Sequence, residues 1–274
     1  GHFVRDATGR ATGMLHEDAI YWALDRLPRT TEATFHNGLR AGQALANRHG
    51  ITGILDPFIQ SHHIGIYAQA AAQGALTLRV AGAMSVTAAD TVDSALARLT
   101  ARRAAHRTED FHLHSAKFFL DGGLENRTAA LIDDYADAQG GNCPLMFPPD
   151  HIRNLFIALD AARFQIHVHC IGDRATRAAL DGFQAACDAN GPWPGLHQIA
   201  HCQLVHPDDR PRFAALGVMA NLQPFWACTD PIIPDDTMAM IGPARAAWTY
   251  ANRSLIDAGA PWCINSDWAV TTLN

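Results

Sequence analysis

The chain has 274 residues, 48 % hydrophobic and 18 % charged, with 27 acidic against 21 basic side chains and a net charge of −6. That is enough chain to bury a sizeable core, as one α/β barrel or two smaller domains, and it is too apolar for extended disorder. The negative balance argues against a nucleic-acid or anionic-membrane partner, and no apolar run approaches the roughly 18 residues of a membrane span.

An opening segment ends in a helix expected over Thr31–His49. Short apolar strands then alternate with Ala-rich helical stretches, the rhythm of a parallel α/β fold. Strands are predicted at Ile51–Asp56, Leu76–Ala83, His112–Asp121, Phe164–Cys170, His197–Leu204, Val218–Gln223 and Pro261–Asp267. Helices are predicted at Thr91–Arg107, Arg174–Ala189, Pro207–Leu216 and Ala244–Ala258. Seven βα units are one short of a (β/α)₈ barrel. The expected architecture is therefore an α/β, TIM-barrel-type fold lacking one strand, with residues 1–274 as one partial barrel domain. The six cysteines include no CxxC pair and several lie in predicted strands, which suits a reduced, cytoplasmic protein better than a disulfide scaffold.

Polar residues gather at the carboxyl ends of these strands. Lys117 and Asp121 end the third, His169 the fourth, Gln223 the sixth and Asp267 the seventh, while His201 falls late in the fifth. Parallel α/β folds build their sites on that face. Lys117 is the only lysine in the chain. A desolvated lysine can lose its proton, whereas arginine stays charged; the bland alternative is a lysine reaching the surface. Alternation places Gln165, His167 and His169 on one face, and Ser115, Lys117, Phe119 and Asp121 on one face of the preceding strand. His112 and His114 are expected on the opposite side, with Ala116, in a structural role. Each histidine alone reads best as a core or surface group, and Asp267 as a turn cap. Together, two imidazoles, an amine and a carboxylate from four strands suit zinc or a similar divalent ion.

These positions carry a resemblance. Ala116–Ala130 (AKFFLDGGLENRTAA), His169–Ala175 (HCIGDRA), His201–Leu204 (HCQL), Arg212–Gln223 (RFAALGVMANLQ), Ser266–Val270 (SDWAV) and the opening Arg5–Leu15 (RDATGRATGML) resemble the amidohydrolase superfamily, in its YtcJ-like branch. The resemblance implies one or two divalent metals at the barrel mouth. It matches Lys117 to a lysine that takes up CO₂ as a bridging carbamate, His169 and His201 to imidazole ligands, and Asp267 to a ligand that also shuttles a proton. Asp121, Arg127, His167, Asp173 and Gln223 are then candidates to orient ligands or substrate, although loop or helix capping is the plainer reading of Asp173 and Arg127. His62 and His63, expected in a loop, are substrate-contact candidates that read more simply as solvated. The chain departs from the pattern in having no His-x-His on a first barrel strand, Ala200 where Glu often precedes the second histidine ligand, and neither part of the small flanking β domain.

The implied reaction is metal-assisted hydrolysis of C–N bonds in small amides such as N-acyl or N-formyl amines. The rival expectation is a catalytically incompetent fragment or degenerate barrel that binds a ligand or partner. Two open sheet edges would then invite a homo-oligomer. A weaker reading is a hydrolase of C–O or P–O bonds.

Overall fold

Segments of Val, Ile, Leu and Phe become the strands of one parallel sheet, and the Ala-rich stretches between them become its helices. The computed structural model describes residues 2–16, 18–137, 139–227 and 235–273. It divides into two units, Gly1–Gly42 and Gln43–Asn274. In the first unit, β1 (His2–Arg5) and β2 (Ala11–His16) pair as an antiparallel hairpin. Asp6 nucleates its turn: one carboxylate oxygen accepts from the backbone of Thr8 and Arg10 at 2.9 and 3.0 Å. The sequence reading had assigned no strand to this stretch. Helix α1 (Asp18–Leu24) follows, and its Trp22 meets Phe3 edge-on at 5.1 Å. Helix α2 (Glu32–Arg48) runs across the division between the units.

The second unit is a seven-stranded sheet, parallel throughout, in the order β3 (Gly53–Ile59), β4 (Arg79–Ser85), β5 (Phe111–Phe119), β6 (Gln165–Cys170), β7 (Gln198–His201), β8 (Met219–Leu222) and β9 (Trp262–Ile264). Spatial order follows chain order, as in an incomplete TIM barrel, with β3 and β9 as edges. Between the strands run α3 (Ser61–Ala72), α4 (Val92–Ala105), α5 (Pro149–Ala161), α6 (Asp173–Asn190), α7 (Arg210–Leu216), α8 (Asp235–Ala246) and α9 (Asn252–Asp257). Helix α6 shows why it docks: Ala175, Ala179, Leu180, Phe183 and Ala186 recur at helical spacing and are buried. The helix expected over Ala244–Ala258 is broken instead: α8 ends at Ala246 and a turn separates it from α9, while the kink of α8 at Gly242 and Pro243 lies before that stretch. Among the described residues no helix is long and apolar enough to cross a membrane, and Cys170, Cys187, Cys202 and Cys263 are in no disulfide.

Strand β5 corrects one expectation. Gly82 pairs with Leu113, but the next residue, Ala83, pairs with Ser115, so β5 carries one extra residue at His114. A bulge of this kind resets strand alternation by one. Leu113 and Ala116 therefore both enter the apolar layer under the helices. His112 falls on the inner side with Ser115 and Lys117 rather than opposite them. His114 follows it, with the two rings 5.1 Å apart and His114 Nε2 3.2 Å from Ser115 Oγ.

Two buried carboxylates fasten the ends of the sheet. At the carboxyl end, Asp121 accepts three backbone N–H bonds, from Ala130 (3.0 Å), Ile171 (3.0 Å) and Gly172 (2.7 Å). It thereby draws the loop after β5 against the loop after β6, so closely that a Cβ on Gly172 would fall 2.0 Å from the Ala130 carbonyl oxygen. At the amino end, Asp160 accepts from Asn190 Nδ2 (2.8 Å) and His197 Nε2 (2.9 Å), and from the Trp193 indole. His197 Nδ1 accepts from the backbone of Ile166 at 3.0 Å, which leaves Nε2 to carry the proton. Burial nonetheless holds His197 below the ordinary imidazole range against the pull of Asp160, and burial holds His114 down to about 4.

Gly172→Ala is expected to destabilise the protein by more than about 2 kcal/mol, since the obstruction is backbone and not a flexible side-chain tip. Urea unfolding checks this, and an unchanged midpoint would contradict the close approach. The histidines give a pH dependence whose sign is fixed. Their folded pKa values are depressed, so below about 6.5 the unfolded chain takes up protons that the folded chain refuses. Stability is expected to be full above that pH and to fall below it, by at most about 1.4 kcal/mol per pH unit for each such group. The share due to His114 is spent near pH 4. Urea midpoints between pH 7.5 and 5 measure the slope, and His114→Gln should flatten it.

Candidate metal centre

Lys117 and His167 are register partners across β5 and β6, as are Phe119 and His169 one step nearer the mouth. Lys117 is 4 % exposed. Its Nζ lies 4.5 Å from the Phe119 ring, and among the described residues it has no hydrogen-bond or ion-pair partner. Burial pushes this amine down to about 8, against weaker opposing pulls from Cys170 and Asp267. His167 is buried with neither ring nitrogen hydrogen-bonded, in the field of Lys117, His201 and His169. His169 stacks edge-on against His201 with ring centroids 4.4 Å apart; its Nε2 is 3.3 Å from the Gly122 carbonyl oxygen and 3.9 Å from Asp121. Burial, and after it the neighbouring positive charges, hold the three imidazoles below their ordinary pKa. Neutral rings keep a lone pair for a ligand.

Two ligand candidates owe their placement to unusual backbone. Ala200 shares the inner face with Gln198, so plain alternation would send His201 outward with Ile199, into the helix-facing core. Instead His201 has φ 77° and Cys202 φ 47°, left-handed values that swing the imidazole into the mouth. Asp267 likewise has φ 50°, and its backbone N–H is caught by Asn265 Oδ1 at 2.9 Å. The Asp267 carboxylate acts on both Lys117 and His201. Strain of this kind, held by surrounding bonds, is characteristic of functional positions.

The structure thus brings Lys117, His167, His169, His201 and Asp267 together, with Gln223 hydrogen-bonded to His201 Nδ1 at 2.6 Å. Asp121 lies beneath His169 but serves chiefly as the loop clasp. Asp173, the first residue of α6, is buried and accepts from the backbone of Ile132 (2.9 Å) and Arg174 (3.0 Å), tying the loop after β5 to the start of that helix. Arg127 holds Asp137 and the Gly140 carbonyl oxygen and stacks on Tyr135, so it too organises the loop. His62 and His63 occupy the first turn of α3 rather than a loop, with rings 4.1 Å apart. The sequence reading passed over Ser115, Gln198, Asn221 and Asn265. The signal was present: each of four successive strands carries a polar residue at an inward position, giving Ser115, Gln165, Gln198 and Asn221.

The donor types suit a divalent ion. Two neutral imidazoles, a carboxylate and a buried amine with no hydrogen-bond partner among the described residues lie within one another's field, and the orphaned nitrogens of His167 mark the place as polar. Among the described residues no three His, Cys, Asp or Glu side chains close on one ion position. The arrangement is one of converging donors rather than a finished coordination sphere.

Comparison with known proteins places the chain in a family. The profile of the amidohydrolase family matches residues 1–274. The exoenzymes regulatory protein AepA of Pectobacterium carotovorum subsp. carotovorum is 29 % identical over 88 % of this chain and 51 % of its own length. The putative amidohydrolase YtcJ of Bacillus subtilis (strain 168) is 25 % identical over 94 % and 47 %. The protein LONG AFTER FAR-RED 3 of Arabidopsis thaliana is 29 % identical over 66 % and 31 %. The chain therefore spans about a third to a half of the length of these relatives. Among solved structures, an uncharacterized metal-dependent hydrolase from Pyrococcus furiosus superposes with a TM-score of 0.75 at 22 % identity, covering 96 % of this chain and 53 % of that one. On its sequence match from end to end, the chain belongs to the amidohydrolase family.

Proposed function

We propose that this chain carries most of the site of a zinc-dependent amidohydrolase that cleaves C–N bonds of small amides, N-acyl or N-formyl amines being the favoured class. The observation that carries the reading is Lys117: a buried amine without a hydrogen-bond partner among the described residues, in the field of the imidazoles and the Asp267 carboxylate. Family membership and the metal-dependent hydrolases of like fold support the same chemistry.

Each residue then has a defined task. His169 and His201 present neutral nitrogens. Lys117 sheds one proton to become the neutral amine, whose nitrogen bonds to the carbon of CO₂ as one C=O π pair moves onto oxygen and a second proton leaves the nitrogen; a cationic side chain thereby becomes an anionic carbamate with two oxygen donors. No guanidinium does this, so arginine is no substitute. Asp267 completes the donor set and takes a proton from the attacking water, then passes it to the leaving nitrogen. A divalent ion held there supplies Lewis acidity, polarising the scissile carbonyl and acidifying water toward a pKa of roughly 7. Gln223 keeps His201 oriented, and the Asp121 clasp keeps the loops from opening above His169. Free cysteines in the described segments support a reduced, cytoplasmic setting.

Protein produced with zinc and bicarbonate is expected to retain metal by elemental analysis and to hydrolyse members of an N-acyl and N-formyl amine panel. Lys117→Arg should lose at least about tenfold in metal affinity, the size of effect expected for losing even a supporting group. Equal metal content in the variant would defeat the carbamate role. A second measurement uses the fact that Lys117 is the only lysine. Because its pKa lies near 8, the neutral amine fraction grows as pH rises through that value. Carbon-13 NMR after exposure to labelled bicarbonate should show one lysine carbamate signal that strengthens from pH 7 to pH 9 and is absent in Lys117→Arg.

A further inference from the structure

Behind the metal-ligand candidates, a single file of side-chain amides crosses the inner face of the sheet. Gln165 Nε2 donates to the Leu196 carbonyl oxygen at 2.8 Å, so its Oε1 is the acceptor for Ser115 Oγ (2.6 Å) and for Gln198 Nε2 (3.2 Å). Gln198 Oε1 accepts from Asn221 Nδ2 at 2.6 Å, and Asn221 Oδ1 accepts from Asn265 Nδ2. Asn265 Oδ1 accepts from Gln223 Nε2 at 3.0 Å, and Gln223 Oε1 faces His201 Nδ1.

The direction of this file is dictated from both ends by backbone groups, which cannot exchange roles. At one end stands the Leu196 carbonyl. At the other, Asn265 Oδ1 also receives the Asp267 N–H (2.9 Å), while its Nδ2 faces the Leu222 carbonyl oxygen at 3.5 Å. Turning Asn265 over would set an amide N–H against a backbone N–H and a carbonyl against a carbonyl. With Asn265 fixed, Gln223 must donate to it, and its own carbonyl oxygen must point at His201. A carbonyl oxygen only accepts, so the proton on the neutral His201 ring lies on Nδ1.

We infer that Asn265, acting through Gln223, is a positioning residue that locks His201 in the Nδ1–H tautomer, with the lone pair on Nε2, while the same oxygen holds the backbone of Asp267. One side chain thus sets two of the proposed ligands. The ligand role of His201 rests on the function proposed above; the tautomer does not.

Nitrogen-15 NMR of the histidine rings tests this on metal-free protein at pH 8, with the His201 signals assigned by loss in His201→Gln. Wild-type protein should show a protonated, pyrrole-like Nδ1 and a pyridine-like Nε2. Asn265→Leu removes the acceptor that holds Gln223, so the amide is free to turn and the two tautomers should mix. Asn265→Asp keeps an acceptor for both Asp267 N–H and Gln223 Nε2, so the wild-type tautomer should persist; a role in packing alone would not separate these two variants. Zinc titration should show a loss of about 10–100-fold for Asn265→Leu, the range for supporting groups around metal ligands, and a smaller loss for Asn265→Asp. If Asn265→Leu fails to fold, Gln223→Leu makes the same test of the His201 partner. A wild-type ring protonated on Nε2, or unmixed tautomers in both leucine variants, would overturn the inference. The locked tautomer in a protein that neither holds zinc nor hydrolyses amides would sustain it while removing the proposed function.

Discussion

A sheet buried on both faces is ordinarily lined with aliphatic side chains, because every polar group placed there must find a partner or cost about 1–3 kcal/mol. The inner face of this sheet is polar instead, and it is tolerated because its amides satisfy one another, donating in one direction from Gln223 to Gln165, whose carbonyl oxygen also accepts from Ser115. The groups left over are informative. Lys117 has no hydrogen-bond partner among the described residues, and neither ring nitrogen of His167 has one. They face each other across β5 and β6. Part of the unsatisfied capacity of this face therefore lies at the depth where the ligand candidates converge, as expected of a site that gives up stability for chemistry.

Backbone geometry does the aiming. A flat continuation of β7 would bury the His201 ring under the helices, and the left-handed turn through His201 and Cys202 redirects it. The backbone of Asp267 departs from strand geometry in the same sense, where the Asn265 side chain catches it. Both departures need a rigid surround. The Asp121 clasp supplies part of it by binding three N–H groups from two loops, and the close passage of Gly172 over Ala130 leaves that junction little room to shift.

Much of this was readable in the residues. The inner strands announced themselves by composition, so the stretch expected at Phe164–Cys170 appears at Gln165–Cys170, and the helix expected at Thr91–Arg107 appears at Val92–Ala105. Polar residues at strand ends pointed to Lys117, His169, His201 and Asp267 because parallel sheets expose that end. What escaped was set by local geometry with no compositional mark. The extra residue at His114 reverses the facing of His112, and alternation carries no warning of it. The amide file is not marked in the sequence because each Asn or Gln alone reads as an ordinary polar residue; only the side-chain hydrogen bonds show that Gln198 meets Asn221 and Gln165. Arg127 and Asp173 were matched through the motifs around them, yet their bonds go to loop backbone and to Asp137.

The single lysine is best understood against that background. A guanidinium at position 117 would bring five donors and a fixed positive charge into a space whose acceptors are already taken by the amide file, next to imidazoles that its field would push further from protonation. It could neither neutralise itself nor find a carboxylate other than Asp267, which would draw that residue away from His201. An aliphatic residue would remove the charge but leave His167 facing hydrocarbon with both nitrogens unmet. A primary amine alone can shed its proton under desolvation, and then gain two oxygens from CO₂ that meet positive or hydrogen-bearing neighbours. The surroundings of Lys117 thus reject the other side chains on electrostatic grounds before any reaction is considered, and they leave the unmodified amine beside His167 with no hydrogen-bond partner among the described residues.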